Sequence, residues 1–347
     1  MEIMKWLPVK PLIQFRSVSK LWKSVIDSSD FINGYGARHT QPHSLILRYS
    51  ADYSPDVLSY IRLVDDDIET FKVKQQQEFA PFVVSPLLKQ FLFSMVVGAC
   101  HGLLCFFGLH KGYNNNWMVA IWNPSIRKSF DPTVLNILCA NNMPWHVEVF
   151  TLSSGVWNVI PSGNCPRQSI QLNCPATQVV IDRFIYWGAR EKTFTHDGKS
   201  TINHMVVSFD LTDNKFKVVD FPDSLTNCLT KDWFLPVSVS KLRGSLIVSG
   251  YTKVEEAVHC GVWVMEHDES FRKLFTIGAP IHRILAFKES GEPFFENPNK
   301  DGLDVYDPCS QQIKNLGISG ESFFMGSYKE SLLLLNHLDS HIYFDNK

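Results

Sequence analysis

A chain of 347 residues with 45% hydrophobic and 20% charged residues can bury a sizeable core, which excludes a disordered polymer. A net charge of −2, with no basic run longer than two residues, excludes the broad positive surface of a nucleic-acid binder. The longest apolar stretch, SMVVGACHGLLCFFGL at 94–109, is too short for a membrane span and is interrupted by His101, so no membrane partner is expected.

The first 35 residues read as helices. In LPVKPLIQFRSVSKLWKSVI (7–26), Leu12, Phe15 and Val18 recur every three residues, and Leu21 with Val25 and Trp22 with Ile26 pair four apart. Pro11 suits a first helical turn, Ser19 is a candidate N-cap for the next helix, and DSSD (27–30) is expected to end the helical region.

From residue 40 onward the pattern changes to short runs rich in β-branched and aromatic residues, bounded by Gly, Pro, Asn and Asp. The runs share a grammar of apolar strand, hairpin, second strand, polar turn and closing strand, as in GLLCFF…VAIWNPSIRKSF and RFIYWG…VVSFDLTDNKFKVV. The polar turns fall near Asp66, Pro124, Ser154, Thr212, His267 and Asp307. Propeller blades of four antiparallel strands recur at roughly 40 to 50 residues. The expected fold is therefore mainly β, a propeller of about six irregular blades, preceded by a small α-helical module. The Pro124-to-Ser154 interval of 30 residues is too short for a full blade, so a reduced unit is expected there. A β-sandwich is the competing fold, but it predicts no preserved strand-turn-strand grammar.

The eight cysteines show no C-x-x-C pair and no spacing repeated with histidines, so they read as reduced, mostly buried thiols. No metal, cofactor or catalytic residue is expected: His101, His110, His146, His196 and His204 are scattered, and no nucleophile elbow, H-E-x-x-H or phosphate-binding glycine loop occurs.

The stretch LPVKPLIQFRSVSKLWKSVIDSSDFI resembles the later part of a plant F-box, and GACHGLLCF, AIWNPSIRKSF, VEVFTLSSGVW and VVSFDLTDNKF resemble the F-box-associated domain of the plant F-box/kelch-like proteins. The resemblance divides the chain into an F-box at 1–35, expected to be shortened at its N-terminal side, and a kelch-like propeller domain at 40–347. It implies a non-catalytic substrate-recognition subunit of an SCF-type ubiquitin ligase, in the cytoplasm or nucleus. The F-box would dock on a Skp-family adaptor, and through it on a cullin scaffold, while the propeller would hold a target protein. The alternative expectation is a propeller interaction protein, or a truncated product, that no longer engages the adaptor.

Under that resemblance Leu7, Pro8, Leu12, Val18 and Trp22 are expected in or beside the adaptor interface, with Lys10, Arg16, Lys20 and Lys23 as a basic rim; the competing role for Leu12, Phe15 and Trp22 is the module's own core. Recognition on a rigid scaffold usually lies in its loops. The stretches 110–116, 189–203, 252–259 and 288–302 are expected to be long loops on one face, and Tyr113, Arg190, His196 and Glu255 are the target-contact candidates.

Overall fold

The computed structural model describes residues 2–35, 44–50, 58–64, 77–78, 88–111, 117–130, 135–138, 143–151, 156–173, 178–194, 198, 200–229, 237–254, 257–279, 281, 283–297 and 302–335. The chain divides into two compact units, Met1–Thr133 with Ser322–Lys347, and Val134–Glu321.

The first unit begins with a short 3-10 turn, Glu2–Trp6, and three helices: α1 (Val9–Arg16), α2 (Lys20–Ile26) and α3 (Ser29–Tyr35). Pro11 sits in the first turn of α1, where backbone N–H groups have no helical partner to lose. Ser19 caps α2 as expected, its Oγ accepting from the Trp22 N–H at 3.1 Å. DSSD does not end the helical region. Ser28 instead accepts from the Phe31 N–H at 3.3 Å and opens α3, whose first turn holds Asp30, because the residues that stop one helix are also those that start the next.

Two antiparallel sheets complete this unit. One has the order β24-β1-β2-β3, from β1 (Ser44–Ser50), β2 (Leu58–Val64), β3 (Gln77–Glu78) and β24 (Glu321–Tyr328). The other is a meander of β4 (Phe91–Cys100), β5 (Leu103–His110), β6 (Trp117–Asn123) and β7 (Lys128–Phe130). Ile46, Tyr60, Phe106, Trp122 and Tyr328 meet in their common core, with the Tyr60 and Trp122 rings edge to face at 5.3 Å.

Among the described residues the second unit holds four sheets. The first of them has three described strands, β8 (Leu135–Leu138), β9 (His146–Thr151) and β10 (Val156–Val159), in keeping with the reduced unit expected from the short interval. The next joins β11 (Ile170–Leu172), β12 (Val179–Ile181), β13 (Phe184–Phe194), β14 (Ser200–Asp210) and β15 (Lys215–Asp220), followed by one helical turn, α4 (Asp223–Thr226). Then come β16 (Ser238–Leu242) to β19 (Phe271–Ile277) through β17 (Ser245–Val254) and β18 (Ala257–Met265), and finally β20 (Arg283–Phe287), β21 (Pro293–Asn297), β22 (Gly302–Asp307) and β23 (Gln312–Ser319). The last seven residues of β14 are buried without alternation, as a central strand covered on both faces requires, whereas the outer β15 alternates.

The fold is thus mainly β, with six blade-type sheets among the described residues and short helices preceding them in the chain. Four of the six polar turns marked in the sequence, near Pro124, Thr212, His267 and Asp307, join the last two strands of a sheet; the other two, near Asp66 and Ser154, lie outside the described residues. Three share one geometry: Asn123, Asp210 and Asp307 each accept a backbone N–H from two residues on, at 2.9, 2.8 and 2.8 Å. Four residues after each comes a left-handed residue, Arg127, Asn214 and Gln311, at φ 57°, 53° and 57°. At the same end of their sheets, the turns between first and second strands at His101–Gly102 and Arg243–Gly244 carry positive φ at both central positions, the twist-matched two-residue turn.

The cysteines are less buried than expected. Cys260 is buried and Cys105 lies deep enough that loss of solvent pushes its thiol up to about 12, but Cys100, Cys228 and Cys309 are exposed.

Candidate protein-docking face

The helical module turns one apolar stripe inward and leaves another in solvent. Val9, Leu12, Ile26, Phe31, Ile32 and Tyr35 are all buried, and the Tyr35 hydroxyl donates to the Leu7 carbonyl at 2.8 Å. Outward, Val18 is 70% exposed, Leu21 72%, Trp22 38%, Ile3 80% and Trp6 55%. Large apolar side chains this exposed and this close in sequence mark an interaction surface rather than ordinary surface scatter.

The stripe is held in shape. At the ends of α1 and α2 the Arg16 guanidinium grips Asp27 with two hydrogen bonds, 2.5 and 2.9 Å long, and that contact raises the guanidinium pKa above its usual value. Phe15 and Trp22 meet edge to face at 5.0 Å, so the Trp22 ring is packed against the module while 38% of the residue stays exposed. Lys10, Lys20 and Lys23 are exposed on the same helices, α1 and α2.

Of the residues expected at this face, Val18, Trp22 and Pro8 lie on the surface and Leu7 is half-buried. Leu12 does not: it is fully buried in the module's own core, the competing role weighed for it from the sequence. Three exposed apolar residues, Ile3, Trp6 and Leu21, were missed, because Leu21 shares the four-residue spacing with the half-buried Val25 and the Glu2–Trp6 turn is too short to show a period.

The second set is mostly out of view, since Tyr113, His196 and Glu255 lie outside the described residues. Arg190 is not a loop residue. It sits half-buried in β13, paired across to Gln171 of β11 and His204 of β14, and loss of solvent lowers its guanidinium pKa. The stretches 189–203 and 252–259 are mainly strand: β13 runs to Phe194 and β14 starts at Ser200, β17 runs to Val254 and β18 starts at Ala257. Stretch 288–302 likewise contains β21. Polar residues there belong to extended hairpins that pair backbone to backbone, a pattern that side-chain polarity alone does not distinguish from a loop.

With the helices and their face in place, comparison with known families is decisive for the module: residues 1–33 match the F-box domain. The module is an F-box. Curated relatives of the chain include F-box proteins of Arabidopsis thaliana. One putative F-box protein is 31% identical over 134 residues, covering 37% of this chain and 30% of that protein; another is 23% identical over 300 residues, covering 77% and 64%. The Arabidopsis protein SUPPRESSOR OF NIM1 1 is 29% identical over 133 residues, covering 37% of this chain and 31% of it. The chain therefore spans between about a third and two thirds of the length of these relatives. Among solved structures, a luciferin-regenerating enzyme overlays with a TM-score of 0.36 at 11% identity, over 65% of this chain and 75% of that one, too distant to bear on function. The F-box thus presents Val18, Leu21 and Trp22 outward from helices whose inner side belongs to a buried core.

Proposed function

We propose that the chain is a substrate-recognition subunit of an SCF-type ubiquitin ligase, acting in the cytoplasm or nucleus. Its F-box docks on a Skp-family adaptor through Ile3, Trp6, Pro8, Val18, Leu21 and Trp22, and the adaptor links it to a cullin scaffold. The blade-type sheets, as an F-box-associated domain, hold the target protein through their hairpin ends. The observation that carries this reading is the exposed apolar face on a module whose residues 1–33 match the F-box. An aromatic anchor already packed against Phe15 loses little freedom on docking, and the exposed lysines of α1 and α2 form a rim.

The subunit's contribution to ubiquitin transfer is proximity: it brings target and transfer machinery into one complex and makes their encounter effectively unimolecular. No residue of this chain takes part in bond making. The test is capture of a purified Skp-family adaptor by the full chain, with Leu21→Asp and Trp22→Ala compared with the wild type. Loss of capture in variants whose circular dichroism is unchanged supports the reading, and undiminished capture refutes the assigned face.

A further inference from the structure

Three helices of seven or eight residues bury too little by themselves to be stable in water. In this chain their core is completed from far along the sequence. Leu332 and Leu335, 0% and 5% exposed, pack among Val9, Leu12, Ile26 and Phe31, so the inner side of the F-box is closed by the segment 329–335 that directly follows β24.

The same segment is moored to the two sheets of its unit. The Asn123 side-chain nitrogen lies 3.0 Å from the Ser331 carbonyl oxygen, 3.1 Å from its Oγ and 2.8 Å from the Leu333 carbonyl oxygen. The Lys128 ammonium donates to the Leu335 carbonyl at 3.3 Å. Gly102 leaves room where an added Cβ would stand 2.1 Å from the Lys329 carbonyl oxygen. Glu330 joins the two sides directly: one carboxylate oxygen accepts from the Val9 N–H at 3.2 Å, at the start of α1, and the other from the Arg62 guanidinium of β2 at 3.2 Å.

We propose that the F-box of this chain is ordered only while segment 329–335 is seated, which makes adaptor docking conditional on the closure of the first sheet by β24. β24 pairs with β1 and delivers the segment, so a chain synthesised or cleaved short of residue 329 keeps every F-box residue yet lacks the leucines that close its core. The device would keep incomplete receptors from occupying adaptor. Its adaptor step rests on the proposed function; its folding step does not.

Hydrogen-exchange mass spectrometry on the full chain tests the folding step without any partner. Leu332→Ala/Leu335→Ala is expected to speed exchange in residues 9–35 by roughly 30-fold or more, with β14 and β18 unchanged. Asn123→Ala, which removes the hydrogen bonds to Ser331 and Leu333, is expected to speed exchange in 329–335 and in 9–35 together. Should the double variant lose protection throughout, Asn123→Ala decides alone. Faster exchange in 329–335 with residues 9–35 unchanged overturns the proposal. In a parallel capture assay both variants are expected to hold less adaptor; if the wild type holds none while the coupled exchange is seen, the adaptor reading fails and the folding coupling stands.

Discussion

The Asn123 side-chain nitrogen, at the end of β6, lies 2.8 Å from the Leu333 carbonyl oxygen, which is 210 residues away in sequence. Its oxygen accepts from the Ser125 N–H at 2.9 Å and shapes the turn that Asp210 and Asp307 shape elsewhere. The first sheet-turn asparagine has therefore acquired a second task. An aspartate there would shape the turn but would place a carboxylate against carbonyl oxygens. Asn123→Asp is expected to destabilise the chain by about 2 to 3 kcal/mol, more than Asn123→Ala, as read by chemical denaturation.

The F-box separates residues that stabilise from residues proposed to bind. Leu12→Ala opens a cavity in a buried core and is expected to cost about 2 to 5 kcal/mol of module stability, measured by local hydrogen exchange. Leu21→Asp changes a side chain that is 72% exposed and is expected to move stability by less than about 0.5 kcal/mol.

The Arg16–Asp27 clamp is partly solvated, with side chains 31% and 23% exposed, so its contribution is modest despite two hydrogen bonds. Asp27→Ala is expected to cost about 1 kcal/mol and to loosen the angle between α1 and α2. Amide exchange in residues 20–26 reads this directly.

One carboxylate gives a pH signature. Burial pushes Glu191 up, but hydrogen bonds from the Ser169 hydroxyl and the Arg167 guanidinium outweigh it and hold the carboxyl below its ordinary value of 4.5. A depressed folded-state pKa means stability that is fully present above the ordinary value and lost as pH falls through the folded one. Glu191→Gln is expected to lower stability near pH 7 and to be nearly neutral at acid pH, as read by thermal melts of both proteins across pH 2 to 7.

How far the sequence went depends on the range of the interaction. Turn chemistry is local, so Pro124, Thr212, His267 and Asp307 marked sheet ends, and the short step to Ser154 announced the three-stranded sheet of β8, β9 and β10. Ser19 was legible as a cap for the same reason. DSSD misled because stop and start signals share residues, and Ser28 serves the start. Leu12 and Leu21 both carry helical spacing; which of them faces water is decided by Leu332 and Leu335, and no periodicity within the first 35 residues contains that information. Arg190 was misplaced because polar residues in a long hairpin pair through the backbone, to Gln171 and His204, and leave no loop signature.

The central claim is that the exposed face of the F-box docks on an adaptor. The most direct measurement is the dissociation constant of the full chain with a purified Skp-family adaptor, set beside that of Trp22→Ala with hydrogen exchange confirming folded helices in both. The account predicts saturable binding weakened about 30-fold or more by Trp22→Ala. Equal affinity of the two proteins, or no binding by a wild type with folded helices, would contradict it.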